Sequence, residues 1–252
     1  DRASNGGPWS GTFFVTVHCG TDFFFLPLIS RANALGFESQ FQGTAPGWQV
    51  HAGEWWIEND EWFTTNGVPD GWASASYERD WTDVDYEVRF WRAGCDTCAN
   101  HLLVRGTPAE SGGGSLWDSY YAFQYSRSGT YSVWKRVGGV STPLQGWTPS
   151  TAILQGSLWN SLRVVVQGPF LYFYINGTLV WVGSDSSLTS GRVGMGMHSP
   201  ESAAAERLWV DWATLSPSAS GDLPEVSAEQ QALNDAAGDQ SQGSEARAPD
   251  RE

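Results

Sequence analysis

The chain has 252 residues, a net charge of −14 and only 17% charged side chains. That balance repels phosphate backbones and anionic lipid, so no nucleic acid and no membrane-surface partner is expected. With 15 Trp, 12 Phe and 8 Tyr against 2 Met, the composition suits pleated sheets and argues against a helical fold.

Residues 1–11 are rich in Gly, Ser, Asn and Pro and read as a leader. Phe13, Val15 and Val17 then alternate with Phe14 and Thr16, which predicts a short strand before Cys19. The apolar run at 23–29 is far shorter than the ~18 residues of a membrane-spanning helix, so no membrane insertion is expected. Followed by Ala32-Asn33-Ala34, it has the outline of a secretory signal with its cleavage site. Asp22 stands where a basic segment belongs, however, and the run reads better as an N-terminal strand. Residues 1–35 are therefore assigned to a leader or short extra strand.

From residue 37 a period-two pattern takes over. It passes through 48–51 and 54–58, then 73–79, 84–91, 101–105, 120–125 and 130–136, and ends with 162–167, 170–175, 178–182, 193–198 and 208–215. The clearest stretch is 159–182. Leu162, Val164 and Val166 alternate with polar residues, Gly168-Pro169 breaks the run, and Asn176-Gly177 supplies a tight hairpin turn. About a dozen short strands of this kind predict an all-β fold, a two-sheet antiparallel jelly-roll sandwich over 36–217. Beyond it, 218–252 holds eight acidic and two basic residues and little apolar surface. That composition cannot offset an ordering cost of ~1–2 kcal/mol per residue, so a disordered acidic C-terminal tail is expected.

Several short motifs recur in a familiar order. They are Gly47-Trp48-Gln49-Val50 before Gly53-Glu54-Trp55, Asp85-Tyr86-Glu87-Val88-Arg89, and Asn100 with Leu103-Val104-Arg105. Trp159-Asn160-Ser161-Leu162-Arg163-Val164, Tyr174-Ile175-Asn176-Gly177, Gly191-Arg192-Val193-Gly194 and Val210-Asp211-Trp212 follow. This order resembles the concanavalin A-like lectin/glucanase superfamily, most closely its 3-keto-disaccharide hydrolase and laminin G-like branches. The resemblance implies a jelly roll with a sugar ligand lying across one sheet face or at its rim. It also implies that a structural calcium ion is possible, held by an acid of the first strand and an Asp of the last, here Glu38 and Asp211. No other cofactor is required.

Strand alternation proposes the ligand face. If Val84, Tyr86, Val88 and Phe90 point into the core, Asp85, Glu87, Arg89 and Trp91 point away from it. The same alternation adds His101 and Arg105, Tyr120 and Gln124, and Trp134 and Arg136, while Trp72 and Trp117 are placed in loops. Rings for the apolar face of a sugar and planar polar groups for its hydroxyls are what a glycan site needs. A solvated sheet face with aromatic cross-strand pairs has the same composition.

Carboxylate patterns bear on catalysis. Glu58-Asn59-Asp60 begins the Glu-x-Asp-x-Glu array of laminarinase-like hydrolases, but Trp62 and Phe63 stand where the third acid belongs. Asp83, Asp85 and Glu87 keep an alternating spacing, yet residues four apart on a flat strand lie ~13 Å apart, against the ~5 Å of a retaining pair. For the 3-keto-disaccharide branch, the resemblance implies Glu87, His101 and Arg105 near the chemistry, with Glu87 or His101 as base. The Cys95-Asp96-Thr97-Cys98 insertion departs from that family's usual loop.

A lone Cys-x-x-Cys is read as a disulfide staple between Cys95 and Cys98, with zinc held by both and His101, or free thiols, as the alternatives. Cys19 is then left over. Asn176-Gly177-Thr178 matches a glycosylation sequon, although turn chemistry already accounts for it. The expected protein is a secreted or cell-surface, lectin-like module that binds a glycan without catalysis of its own. A 3-keto-glycoside-cleaving enzyme and a laminin G-like protein-binding module are the alternatives.

Overall fold

The computed structural model describes residues 13–19, 22–28, 36–109, 117–200 and 205–218. The expected tail at 219–252 lies outside the described residues. The chain divides into two compact units, Asp1–Gly36 and Phe37–Glu252. In the first, β1 (Phe13–Cys19) and β2 (Asp22–Leu28) pair as an antiparallel hairpin, so the apolar run near residue 25 is a strand.

The second unit is all β. It runs β3 (Phe37–Ser39), β4 (Trp48–Ala52), β5 (Trp55–Glu58), β6 (Trp62–Asn66), β7 (Gly71–Trp81), β8 (Val84–Ala93) and β9 (Asn100–Thr107). After these come β10 (Ser119–Tyr125), β11 (Thr130–Val137), β12 (Val140–Pro149), β13 (Asn160–Gln167), β14 (Phe170–Ile175), β15 (Thr178–Ser184), β16 (Gly191–Ser199) and β17 (Arg207–Pro217). One sheet has the order β12-β11-β10-β9-β16-β7-β4 and seven strands. The other has the order β15-β14-β13-β8-β17-β6-β5, with β3 paired to β17 as an eighth strand.

The core forms between the two sheets as the alternation dictates. Val84, Tyr86, Val88 and Phe90 of β8 are buried, and they meet Leu102, Val104, Tyr121 and Phe123 from the seven-stranded sheet in one apolar cluster. The 159–182 stretch forms the meander β13-β14-β15, with Asn176 and Gly177 both at positive φ in the turn. The Asn176 amide donates to Ala152 O and Asn160 Oδ1, each at 2.8 Å, so the sequon asparagine is a structural part of that turn.

Two strands were absent from the sequence reading. β12 carries Pro143, Gly146 and Pro149, which hide a strand pattern, and it is tolerated at the sheet edge with two register shifts against β11. β6 sits behind a turn in which Asn59 and Asp60 have positive φ, so Glu58-Asn59-Asp60 is hairpin chemistry rather than a catalytic array.

Two buried arginines bind the sheets together at separate places. Arg92 of β8 is 1% exposed and donates to Ala99 O, the Asn100 Oδ1 and His198 O of the opposite sheet. It also pairs with the buried Glu206 just ahead of β17. Arg105 of β9 is 4% exposed and reaches the other way, to Thr82 O at 3.0 Å, Asp83 at 3.1 Å, Gly168 O at 2.7 Å and Leu188 O at 2.8 Å. Substituting Arg92→Ala leaves Glu206 buried without its cation. The expected loss is about 3–5 kcal/mol in urea unfolding, since breaking one side of a buried pair strands the other charge.

Candidate functional site

The outer face of the seven-stranded sheet carries a cleft of ≈ 410 Å³, within the range of small-ligand sites. Trp72 of β7, Tyr120 and Gln124 of β10, Trp134 of β11, Trp147 of β12 and His198 of β16 line it, and the Thr97-Cys98-Ala99 loop closes one side. These side chains share a face because their neighbours Ala73, Phe123, Val133 and Met197 are buried in the core on the opposite one. Trp147 is 43% exposed, a large ring offered to solvent.

The polar groups of the cleft are partly committed. Gln124 Oε1 accepts from Ser132 Oγ at 3.1 Å, and Trp134 Nε1 donates to the same Ser132 oxygen at 3.1 Å, which fixes ring and amide relative to each other. The Gln124 amide nitrogen has no partner among the described residues and remains free to donate. Trp72 packs between two imidazoles, with ring centroids 4.8 Å from His101 and 5.0 Å from His198. His101 lies beneath it, 2% exposed, and its Nδ1 has no hydrogen-bond partner among the described residues. Burial, with lesser contributions from His198 and Arg92, lowers the His101 pKa to about 3. Burial also lowers the His198 pKa, so both rings favour the neutral form.

The loop beside the cleft is held from below. Cys95 and Cys98 are joined as a disulfide, which removes both sulfurs from the zinc reading. The Cys95 backbone N–H donates to Glu206 Oε1 at 2.6 Å, tying the loop to the buried Arg92 pair. Gly94 at φ +93 lies against the Glu206 carboxylate, where an added Cβ would fall 2.3 Å from Oε1.

The residues expected on one ligand face are divided by the structure. Trp72, Tyr120, Gln124 and Trp134 come together in the cleft, with His101 below Trp72, and Trp72 sits in β7 rather than in a loop. Arg136 lies on the same strand as Trp134 but bonds Trp117 O and Ser141 Oγ, both at 3.0 Å. Trp117 is 2% exposed, pressed against Gly106 and Gly194 with its Nε1 on Ser74 Oγ, so it is a covering ring and not a ligand platform. Arg105 has positive φ beside a register shift, which turns its side chain away from the face alternation gave it. Asp85, Glu87, Arg89 and Trp91 belong to β8 in the other sheet, facing the opposite side of the sandwich. Asp85 there takes a bidentate pair from Arg163 at 2.6 and 2.5 Å.

The catalytic trio Glu87, His101 and Arg105 therefore does not converge. The calcium residues have other partners, since Glu38 accepts from Gln40 and Asp211 pairs with Arg89 at 2.8 Å. Among the described residues, no group of three or more His, Cys, Asp or Glu side chains is placed to hold a metal ion.

A second, more polar cleft of ≈ 770 Å³ lies elsewhere on the seven-stranded sheet, lined by His51, Glu78, Asp80, Gly106–Ala109 and Arg192. His51 Nε2 is 2.7 Å from Ser76 Oγ, and Arg192 Nη1 donates to Gln49 Oε1 at 2.6 Å. Partial burial, then the Arg192 charge, lower the His51 pKa. Sequence reasoning missed His51 and Trp147 because each sits at a register shift, while His198 keeps the regular alternation with buried Met195 and Met197 and was legible from it.

Residues 36–207 match the family described as the 3-keto-alpha-glucoside-1,2-lyase-like domain. Comparison with curated protein sequences gives no match. Among solved structures, the chain is similar to carbohydrate-binding module CBM66 from Bacillus subtilis, at 16% identity over 66% of this chain and 94% of that one, with a TM-score of 0.51. It is also similar to the Bacillus licheniformis beta-glucanase, at 11% identity over 74% and 100%, TM-score 0.57. The metal-free Emp46p carbohydrate recognition domain is 11% identical over 71% and 95%, TM-score 0.51. These likenesses establish the shared fold.

Buried, neutral His101 gives a pH prediction. Its folded pKa of about 3 lies below the unfolded value of 6.5, so its contribution is complete above pH 6.5 and is lost as pH falls toward 3. Urea unfolding should lose at most about 1.4 kcal/mol per pH unit from this group between those limits. A His101→Gln variant should show a flatter profile.

Proposed function

The chain belongs to the 3-keto-alpha-glucoside-1,2-lyase-like domain family, and from that premise we propose that it is a carbohydrate-binding, lectin-like module whose sugar site is the Trp72-Trp134-Trp147 cleft. The observation that carries the reading is the pairing of an exposed Trp147 ring with the Gln124 amide nitrogen, which has no partner among the described residues, across one cleft. Indole faces cover the apolar C–H side of a pyranose, and a planar amide takes adjacent hydroxyls. No charged group is among the lining residues except His198, whose pKa is lowered, so a neutral saccharide fits better than a uronate. The carbohydrate-binding module and recognition domain among the similar structures support this reading. The Cys95–Cys98 disulfide supports a secreted or surface location, because such bonds persist in oxidising compartments.

A second reading rests on the polar cleft. Elimination from a 3-keto-glycoside requires a base for the proton beside the ketone and a cation facing the oxygen that gathers charge. His51, its pKa lowered, supplies the first, and Arg192 beside it supplies the second.

The two readings separate by variant. Trp147→Ala should weaken glycan binding about tenfold, ~1.4 kcal/mol, in calorimetric titration while leaving the melting temperature unchanged. His51→Ala should leave that binding intact, and abolition of 3-keto-glucoside turnover in this variant would establish the lyase reading. Binding of a protein partner with no glycan affinity would replace both with the laminin G-like role.

A further inference from the structure

The opposite sheet has its own cluster of half-exposed tryptophans. At one end of the eight-stranded sheet, Trp62, Trp91, Trp159 and Trp209, with Glu58 and Arg207, line a cleft of ≈ 430 Å³. The register explains the convergence. Trp209 of β17 stands opposite Trp91 on one side and Thr64 on the other, and Thr64 stands opposite Trp56 of β5. Four neighbouring strands thus carry three half-exposed tryptophans, Trp91, Trp209 and Trp56, in one row, with the fully buried Thr64 between the last two. At ~4.8 Å per strand the row extends about 14 Å, a length suited to an oligosaccharide rather than a single ring.

The rings are fixed before any ligand arrives. Trp91 Nε1 donates to Ser157 O at 2.9 Å, Trp209 Nε1 donates to Glu58 Oε2, and the Trp91 and Trp209 rings meet edge to face at 4.4 Å. Arg207 lies over both Trp56 and Trp209, at 5.5 and 5.4 Å from their centroids, and Arg89 lies over Trp159 at 5.1 Å. Preorganised rings lose little freedom on binding.

Charge selects the occupant. Arg207 pairs with Glu58 at 2.9 Å and Arg89 with Asp211 at 2.8 Å, so two cations and two anions cancel within a patch of an otherwise acidic protein. Nη2 of Arg207 makes no hydrogen bond among the described residues and remains available as a donor. A neutral face of indoles with a planar donor lying over Trp56 and Trp209 has the chemistry of a saccharide platform. Rows of half-exposed indoles on a sheet also go beyond the scattered apolar residues of an ordinary surface.

We propose that this row is a second glycan-binding site, taking a neutral oligosaccharide segment on the sandwich face opposite the Trp72-Trp134-Trp147 cleft. It stands on residues separate from that cleft. The chain would then hold two glycan segments at once, one on each face, and bridge or clamp a polymer with an avidity neither site has alone.

The test is an NMR titration of the full chain labelled with nitrogen-15 at the indole nitrogens. Laminarihexaose, cellohexaose, maltohexaose and chitohexaose serve as the probes, and signals are assigned through Trp91→Phe and Trp209→Phe. At least one hexaose should shift both the Trp91 and Trp209 signals, and Trp147→Ala should leave those shifts unchanged. Trp62→Ala and Trp159→Ala, whose indole nitrogens hold no described partner, should each weaken the response about tenfold without lowering the melting temperature. Silence of Trp91 and Trp209 toward all four hexaoses would overturn the proposal. So would shifts that follow protein concentration instead of sugar, which would assign the face to a second copy of the chain. Silence confined to Trp134 and Trp147 would remove the first site and leave this one standing.

Discussion

Two guanidinium groups taken out of water set the frame for everything else in this sandwich. Desolvation lowers the pKa of both Arg92 and Arg105, and their carboxylate partners oppose that shift. Each stays charged because carbonyl oxygens and a carboxylate surround it, although the buried Arg92 Nε makes no hydrogen bond among the described residues. The two run in opposite directions, one from the eight-stranded sheet into the seven-stranded one and the other back. A sandwich held only by apolar packing can slide or splay at its ends, whereas directional bonds to fixed carbonyls set the relative position of the layers. Both outer faces can therefore carry rings in exposed positions without the sheets shifting to bury them.

The Arg92 node also connects the frame to the Trp72-Trp134-Trp147 cleft. Its partners include Ala99 O and His198 O, whose own residues line the cleft, and Glu206 passes the contact on to the Cys95 backbone. The disulfide then needs to restrain only a short loop, because both ends are already anchored. Arg127 adds an outer tether, pairing with Asp96 at 3.2 Å and bonding Gly156 O at 3.1 Å. The loop is thus a wall of the cleft built on a buried ion pair, and its position depends on the core more than on its own sequence.

Much of this architecture was legible in residue order. Alternation gave the inward set of β8 correctly, and the Asn176-Gly177 turn forms where the sequence puts it. Alternation cannot tell which sheet a strand joins. β8 and β9 follow one another in sequence, and adjacency invites a hairpin, but the Gly94–Ala99 segment crosses from one sheet to the other. A residue pointing outward on β8 therefore faces away from one pointing outward on β9, which is why Glu87 and Gln124 fall on opposite sides. Arg105 was misread for a different reason. A register shift and a positive φ at a non-glycine residue break the period of two, and nothing in the local sequence announces either.

The division into two outer faces changes what the tryptophans mean. On a single cradle, Trp91 and Trp134 would be parts of one long groove. On opposite faces each must be explained by its own neighbours, and the neighbours differ. Trp134 stands beside an amide whose nitrogen has no partner among the described residues and a histidine whose pKa is lowered, while Trp91 stands in a row of indoles edged by cancelled ion pairs. Neither surroundings offers net charge to a ligand, although the chain as a whole is strongly acidic. The protein keeps charge off both aromatic surfaces by pairing it locally or by lowering histidine pKa values through burial. That distribution would favour ligands recognised by shape and hydroxyl pattern, and binding at either proposed site would be less sensitive to salt than binding in the Arg192 cleft, with its unbalanced charges.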